Sequence, residues 1–154
     1  MSVSNSFVLT GTSPAAPGTS VIATQYGLDQ FTELVAHVSL IGATGGTLDV
    51  YLQSSVNWQA GVTGQVGTPA WYDVAHFTQL PAGATALRYI VSMSRGYPLT
   101  ATIAVSNPTD GTPTMAANTL LPNILGNALR LIVVAGSLTT AGALITINCH
   151  SSEG

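Results

Sequence analysis

LRLIVVAGSLTTAGALITINCH, residues 129–150, is the stretch that decides the fold, because its centre carries no charge over residues 131–147. An uncharged run of this length lies at the short end of what a membrane-spanning helix needs, about 17 to 25 residues. The run is interrupted by GSLTTAG, residues 136–142, a composition that is typical of turns. The halves on either side are rich in β-branched residues, which favour strands. The stretch therefore predicts two strands joined as a β-hairpin and a soluble protein without a membrane-spanning helix.

Alternation of apolar and polar residues recurs along the chain and predicts further strands. TLDVYLQ, residues 47–53, places its apolar side chains on one face, and FTELVAHVSLIG, residues 31–42, alternates in the same way. The glycines of the intervening ATGG predict a second hairpin turn. The remaining predicted strands are SFVLT (6–10), SVIATQ (20–25), WYDVAHFTQL (71–80), TALRYIVSMSR (85–95) and PLTATIAV (98–105).

These strands predict an all-β fold, an antiparallel two-sheet β-sandwich, and we expect a jelly-roll topology because its eight strands fit the number of alternating segments. A length of 154 residues suits one domain. We assign residues 31–150 to the sandwich and residues 1–30, with SPAAPGTS in their middle, to an extended N-terminal arm. The chain begins without a basic segment and a long apolar run, so we expect no secretory signal and synthesis in the cytoplasm.

Two long connections interrupt the predicted strands. Residues 106–126 contain Pro108, Pro113 and Pro122, and residues 57–71 read NWQAGVTGQVGTPAW. Connections of this length in a compact domain are usually functional or packed on a neighbour. We therefore expect both of them to take part in contacts.

The charge content is low, 6% of residues, where soluble domains average about 25%. The chain has no lysine, and Arg88, Arg95 and Arg130 are expected to point outward from strands and pair with the few carboxylates. Three scattered arginines cannot neutralise a row of phosphates, which excludes nucleic acid as a partner. A surface with so little charge associates readily, so we expect other subunits to cover part of it.

No constellation of residues predicts catalysis, a cofactor or a metal. His37, His76 and His150 lie on three predicted strands without metal-ligand spacing, although a zinc site with Asp73 or Glu33 is conceivable. The chain has no GxSxG motif and no phosphate-binding glycine loop. The single cysteine, at position 149, excludes an intrachain disulfide and is expected to be a small buried hydrophobe. We therefore predict that the protein is not an enzyme.

Aromatic residues around one loop give a binding signal with two interpretations. Trp58 and Tyr72, with Asp73 nearby, are suited either to stacking on a sugar ring or to anchoring a protein interface. Trp71 is expected to start a strand and pack within the sandwich. The first interpretation would make the chain a carbohydrate-binding β-sandwich module.

Four segments together resemble small virion structural proteins of tailed bacteriophages, and most of all the capsid decoration, or cement, proteins. The segments are LDVYLQSSVN (48–57), WYDVAHFTQL (71–80), ALRYIVSMS (86–94) and ALRLIVVAG (128–136). The resemblance extends over residues 31–148. It implies a non-enzymatic β-sandwich that assembles as a homo-oligomer, with a trimer favoured, and binds between subunits of the major capsid protein at the virion surface.

The resemblance carries over no catalytic residue, and a head–tail connector or a tail or fibre-base subunit remains an alternative role. From the arm, the aromatic loop and the proline-containing connection we select candidate interface residues. They are Phe7, Val8, Leu9, Val21, Ile22, Trp58, Tyr72, Pro108, Pro113 and Pro122.

Overall fold

The protein is described by a computed structural model that places residues 4–12, 16–28, 31–41, 46–55, 70–77, 79, 87–94, 113–121, 125–136 and 144–152. Every regular element among these residues is a strand, and none of them forms a helix that could cross a membrane. The strands are β1 (Ser4–Thr12), β2 (Gly18–Tyr26), β3 (Glu33–Ile41), β4 (Leu48–Ser55), β5 (Tyr72–His76), β6 (Leu87–Ser94), β7 (Thr119–Leu120), β8 (Ala128–Ala135) and β9 (Leu144–Ser152).

The strands form two antiparallel sheets. One has four strands in the order β1-β9-β3-β6, and the other has five in the order β2-β8-β4-β5-β7. The pairs β4·β5, β3·β6, β2·β8 and β1·β9 are nested within one another, as in a long two-stranded ribbon rolled into two sheets. This is the connectivity of a jelly roll. The predictions of an antiparallel β-sandwich and of its jelly-roll topology are confirmed.

The core lies between the two sheets and is filled by alternate residues of each strand. Leu34, Ala36 and Val38 of β3 face Leu48, Val50 and Leu52 of β4 across the core, all essentially inaccessible to solvent. This is the alternation that the sequence predicted for these two strands. Ile145 and Ile147 of β9 and Leu129, Leu131 and Val133 of β8 complete the same layer.

The sequence predicted that β3 and β4, and β8 and β9, form hairpins, and both predictions are wrong. β8 lies in the five-stranded sheet and β9 in the four-stranded sheet, and β3 and β4 are divided in the same way. Each pair therefore crosses from one sheet to the other and packs face to face through its apolar side chains. Alternation shows which side chains of a strand share a face. It does not distinguish a hairpin from a crossing between sheets, because in both cases a turn joins two alternating strands.

The segment assigned to the N-terminal arm contributes one outer strand to each sheet. β1 pairs with β9 from Ser4↔Ser152 to Thr12↔Leu144, and β2 pairs with β8 from Gly18↔Ala135 to Tyr26↔Ala128. Both partners belong to this chain, and the boundary after residue 30 stays a prediction. The predicted strand over residues 98–105 lies outside the described residues.

Cys149 lies on the inner face of β9 and is buried, as predicted. Loss of water around the sulfur raises its pKa from the ordinary value of 9.0 to about 12. The thiol of the folded protein therefore stays protonated at pH 8. The folded state holds this proton in a pH range where the unfolded chain releases it.

We expect the free energy of unfolding to fall as pH rises from 9 to 10, by up to about 1.4 kcal/mol per pH unit. The sign follows because the folded thiol stays protonated while the unfolded thiol ionises above its ordinary value of 9.0. Above this window Tyr51, whose pKa is also raised by burial and then by the charges of Asp49 and Asp73, contributes with the same sign. Urea unfolding at stepped pH measures the slope. An equal slope in Cys149→Ala would contradict the assignment to this thiol.

Candidate assembly surfaces

The outer face of the five-stranded sheet carries a buried polar network centred on Asp73 of β5. Gln53 Nε2 donates to Asp73 Oδ1 over 2.7 Å, and Arg130 Nε donates to Gln53 Oε1 over 2.7 Å. The backbone N–H groups of Thr114 and Met115 donate to Asp73 Oδ2 over 2.9 and 3.1 Å. Both carboxylate oxygens thus accept hydrogen bonds inside the protein, where such bonds are strongest.

The strand register places the network. Gln53 of β4 lies opposite Asp73 of β5 on one side and opposite Arg130 of β8 on the other. The guanidinium of Arg130 also lies 4.4 Å from the centre of the Trp71 ring. Trp71 is buried, but it precedes β5 and does not belong to the described core cluster between the sheets, where it was expected. A cation over an aromatic face adds an electrostatic attraction.

A second cluster continues along the same face. The ring of His76 stacks on Tyr51 with centroids 3.9 Å apart. Its Nε2 lies 3.0 Å from Asp49 Oδ1, and its Nδ1 lies 2.7 Å from the carbonyl oxygen of Met115. Both neighbours are acceptors, so the arrangement is fully hydrogen-bonded when both ring nitrogens carry a proton.

These two clusters hold the first residues of the segment 113–121 against the outer face of the sheet, and the segment then joins the sheet edge as β7. Asp73 accepts from the backbone of Thr114 and Met115, while His76 meets the Met115 carbonyl. The Leu121 N–H donates to the Val74 carbonyl over 2.8 Å and continues the attachment. Gln53, Asp73 and His76 lie within predicted strands, but sequence alone gave no sign that another segment covers their outward side. The two clusters therefore stabilise the attachment of this segment to the sheet.

The three histidines are divided between the two sheets. His37 and His150 lie on neighbouring strands of the four-stranded sheet with ring centroids 6.1 Å apart, whereas His76 belongs to β5. Within the described parts of the chain, no group of three or more His, Cys, Asp or Glu side chains could hold a metal ion.

The candidate interface residues of β1 and β2 divide between core and surface. Leu9 is buried, Ile22 is half-buried against the core, and Phe7 packs on Phe31 with ring centroids 5.8 Å apart. The side chains of Val8 and Val21 are exposed instead. Alternation along a strand produces this division, because neighbouring side chains point to opposite faces.

The remaining candidates are dispersed. Tyr72 is half-buried at the start of β5, and Pro113 is buried in the segment that the polar network holds. Trp58, Pro108 and Pro122 lie outside the described residues. Asp73, the carboxylate considered for sugar binding, is committed to Gln53 and to the backbone of Thr114 and Met115.

β1 and β2 form one lateral side of the sandwich. Each has nine residues and is the outermost strand of its sheet, and in the described residues no strand pairs with its outer edge. Their sequences, SNSFVLTGT and GTSVIATQY, contain no charged residue and no proline. Natural outer strands usually carry such residues because they prevent pairing with another chain. This side of the molecule is therefore suited to strand addition.

The opposite lateral side holds a small open cleft. Its volume is about 200 Å³, and it is lined by residues of β5, β6 and β7 that include Phe77, Tyr89 and Leu120. The lining also includes His76, Asn118 and Thr119, and the ring centroids of Phe77 and Tyr89 are 5.6 Å apart.

Comparison with known proteins finds likeness in fold alone. No family model matches the chain, and no curated protein matches it in sequence. A solved structure described as "Bacillus endospore appendages form a novel family of disulfide-linked pili" is 12% identical, with 97% of this chain and 88% of that chain covered and a TM-score of 0.41.

Two structures of infectious bursal disease virus are also similar. That of the Gx strain is 14% identical with a TM-score of 0.43, and that of the Gt strain is 10% identical with a TM-score of 0.36. In each case 99% of this chain is covered, and it spans 33% of the length of the viral chain.

Proposed function

We propose that this chain is a non-enzymatic virion structural protein, a capsid decoration or cement subunit that binds between major capsid subunits at the surface of a tailed-phage head. The observation that carries the proposal is the lateral side formed by β1 and β2, two outer strands of nine residues without a charge or a proline. An outer strand that a neighbouring chain covers does not need the charges or prolines that otherwise prevent pairing with another strand.

Strand addition supplies the binding chemistry. An extended segment of the capsid protein that lies alongside β2 forms main-chain hydrogen bonds with its outer edge, and side-chain contacts set its register. Val21 and Tyr26, both exposed on β2, provide apolar surface for the incoming segment.

Low charge and repetition support the same role. Only 6% of the residues are charged, so few charges lose their hydration when another neutral protein covers the surface. Many weak contacts repeated by the symmetry of a shell add up to strong attachment without a deep binding site. The resemblance of the four sequence segments adds the capsid context and the preference for three copies around a site. Trp58, Pro108 and Pro122 belong to the proposed contact as well.

Binding of the purified chain to expanded heads of the phage that encodes it tests the proposal. We expect saturable binding in sedimentation, weakened about tenfold or more by Val21→Asp, because a buried unpaired carboxylate at the contact is costly. Leu120→Asp, on the opposite lateral side, is the matched control and should bind as the unmodified chain does.

Other outcomes replace the proposal by a named alternative. Binding to isolated necks or tails but not to heads would assign the connector or tail role. A change of tryptophan fluorescence with glycans, and none with heads, would assign the carbohydrate-binding module. Undiminished head binding by Val21→Asp would remove the β2 edge from the contact.

A further inference from the structure

The outer face of the four-stranded sheet differs from that of the five-stranded sheet, because its side chains are open to solvent. Strict alternation along β1, β9, β3 and β6 directs every second residue outward. Four of these are sizeable apolar residues with large exposed fractions: Val8 at 55%, Val35 at 39%, Ile90 at 73% and Leu144 at 44%. We call this surface the four-stranded face.

The strand register shows how the four-stranded face is laid out. One row across it runs Val8, Asn148, His37 and Ile90, with an apolar residue at each end and neutral polar groups between. The rows on either side contribute serine and threonine, together with His150, Val35 and Arg88. An exposed face with apolar and neutral polar side chains is easily desolvated, which marks it as an interaction surface.

Among the described residues, only two on this face are charged, and they have opposite signs. Glu33 begins β3, where it lies opposite Ser94, while Arg88 of β6 lies opposite Ser39. Arg88 therefore lies level with Ser39, six residues along β3 from Glu33. This separation is about 20 Å at the usual rise per residue of a strand. Neither has an ion-pair partner within the part of the chain that the structure describes.

This placement makes the face complementary to itself. Consider a two-fold axis that lies in the plane of the face and crosses the strands midway between Glu33 and Arg88. Rotation about this axis exchanges the position of Glu33 along the strands with that of Arg88. Glu33 of one copy then lies over Arg88 of the second copy, and the reciprocal pair forms on the other side of the axis. The axis passes between the levels of Val35 and His37, so the central rows of the two copies lie over each other.

We propose that two copies of this chain pack through their four-stranded faces about this axis, held by the exposed apolar side chains of the central rows and by the two reciprocal Glu33–Arg88 pairs. Sheets pack face to face with their strands within about 30° of each other, which this symmetry permits. Four strands of eight to nine residues cover roughly 550 Å² per copy, or about 1,100 Å² in total, above the ~1,000 Å² of a specific contact.

The dimer uses a different surface from the one proposed to contact the capsid, and it does not rest on that proposal. β1 and β2 meet a capsid protein through their outer edges, whereas the dimer buries the flat face of the other sheet. A two-fold contact in solution and a three-copy arrangement on the shell are therefore compatible.

Light scattering and sedimentation equilibrium on the purified full chain test the dimer. The expected mass is twice 15.7 kDa, dissociating to 15.7 kDa on dilution. Charge reversal by E33R or by R88E places like charges opposite each other twice, and each should raise the dissociation constant about tenfold or more. The double variant E33R/R88E restores opposite charges and should recover the affinity of the unmodified chain.

Two further variants separate the interface from stability. Ile90→Asp should give a folded monomer, because a carboxylate would be buried within the contact. Val21→Asp, a matched change of an exposed valine on the other sheet, should leave the mass unchanged. A monomer at every concentration, a mass insensitive to both single reversals, or a double variant as weak as the singles would each overturn the proposal.

Discussion

Replacing Gly126 with alanine should destabilise the fold by about 3–5 kcal/mol, more than most single substitutions in a domain of this size. A Cβ atom at this position would overlap the carbonyl oxygen of Ser55 and lie 2.5 Å from its carbonyl carbon and 2.8 Å from Ser54 Oγ. Two of these atoms belong to the backbone of β4, so no rotation of a side chain relieves the overlap.

The hydrogen bonds around Gly126 make the displacement more costly. Its N–H donates to Ser54 Oγ over 2.7 Å, and the next residue, Asn127, donates from its N–H to the Ser55 carbonyl over 2.8 Å. The Asn127 carbonyl in turn accepts from the Leu28 N–H over 2.9 Å. Moving the backbone away from β4 would lengthen all three bonds, each worth about 1 kcal/mol.

Urea unfolding followed by circular dichroism measures this effect. Gly136→Ala is the matched control, because its Cβ would meet Thr47 Oγ1 at 3.1 Å, a contact that a small side-chain movement relieves. We expect the control to cost less than about 1.5 kcal/mol. Equal midpoints for the two variants would show that the approach of residues 125–127 to β4 is looser than described.

Asp73→Asn should cost about 2–4 kcal/mol although it preserves the shape of the side chain. The reason is the direction of the hydrogen bonds. Arg130 has only donors, so the oxygen of Gln53 faces it and the Gln53 amide nitrogen faces Asp73. On its other side Asp73 receives two backbone N–H groups. Asparagine offers one acceptor atom where two are required, and either orientation opposes a donor to a donor.

The consequence of Asp73→Asn reaches beyond stability, because Asp73 holds the segment 113–121 on the sheet. We expect faster amide hydrogen exchange at Thr114 and Met115, whose N–H groups lose their acceptor. Asp49→Asn is the control, since Asp49 is more exposed and water can replace a lost acceptor. Such free energies compare to roughly 0.5 kcal/mol. If Asp73→Asn and Asp49→Asn destabilise the protein equally within this margin, the role assigned to the network is contradicted.

Most of the strands were predictable because each presents one apolar face to the core. TLDVYLQ and FTELVAHVSLIG alternate, and the residues predicted to point inward at Leu48, Val50 and Leu34 are buried. β8 departs from simple alternation, since Ile132 on its outer side is as buried as Leu131 on its inner side. The uninterrupted run LIVV thus reflects a strand covered on both faces, which a sequence cannot distinguish from a buried helix by hydrophobicity alone.

The polar network was not predictable, because it is built across distant parts of the chain. Gln53, Asp73 and Arg130 are polar residues on outward strand positions, and outward polar residues usually meet water. They are brought together by the registers of β4 with β5 and with β8. Thr114 and Met115 reach Asp73 only after the chain has folded.

The sequence by itself determined that this protein is an all-β sandwich with a single buried cysteine and very little charge, because composition and period-two alternation act locally along each strand. Only the tertiary structure decided which strands pair, so that two expected hairpins became crossings between sheets. It also decided that the middle of one outer face is buried while the other face stays open, with Glu33 and Arg88 at separate positions along the strands. Pairing and coverage depend on contacts between residues far apart in the chain, and local alternation carries no information about them.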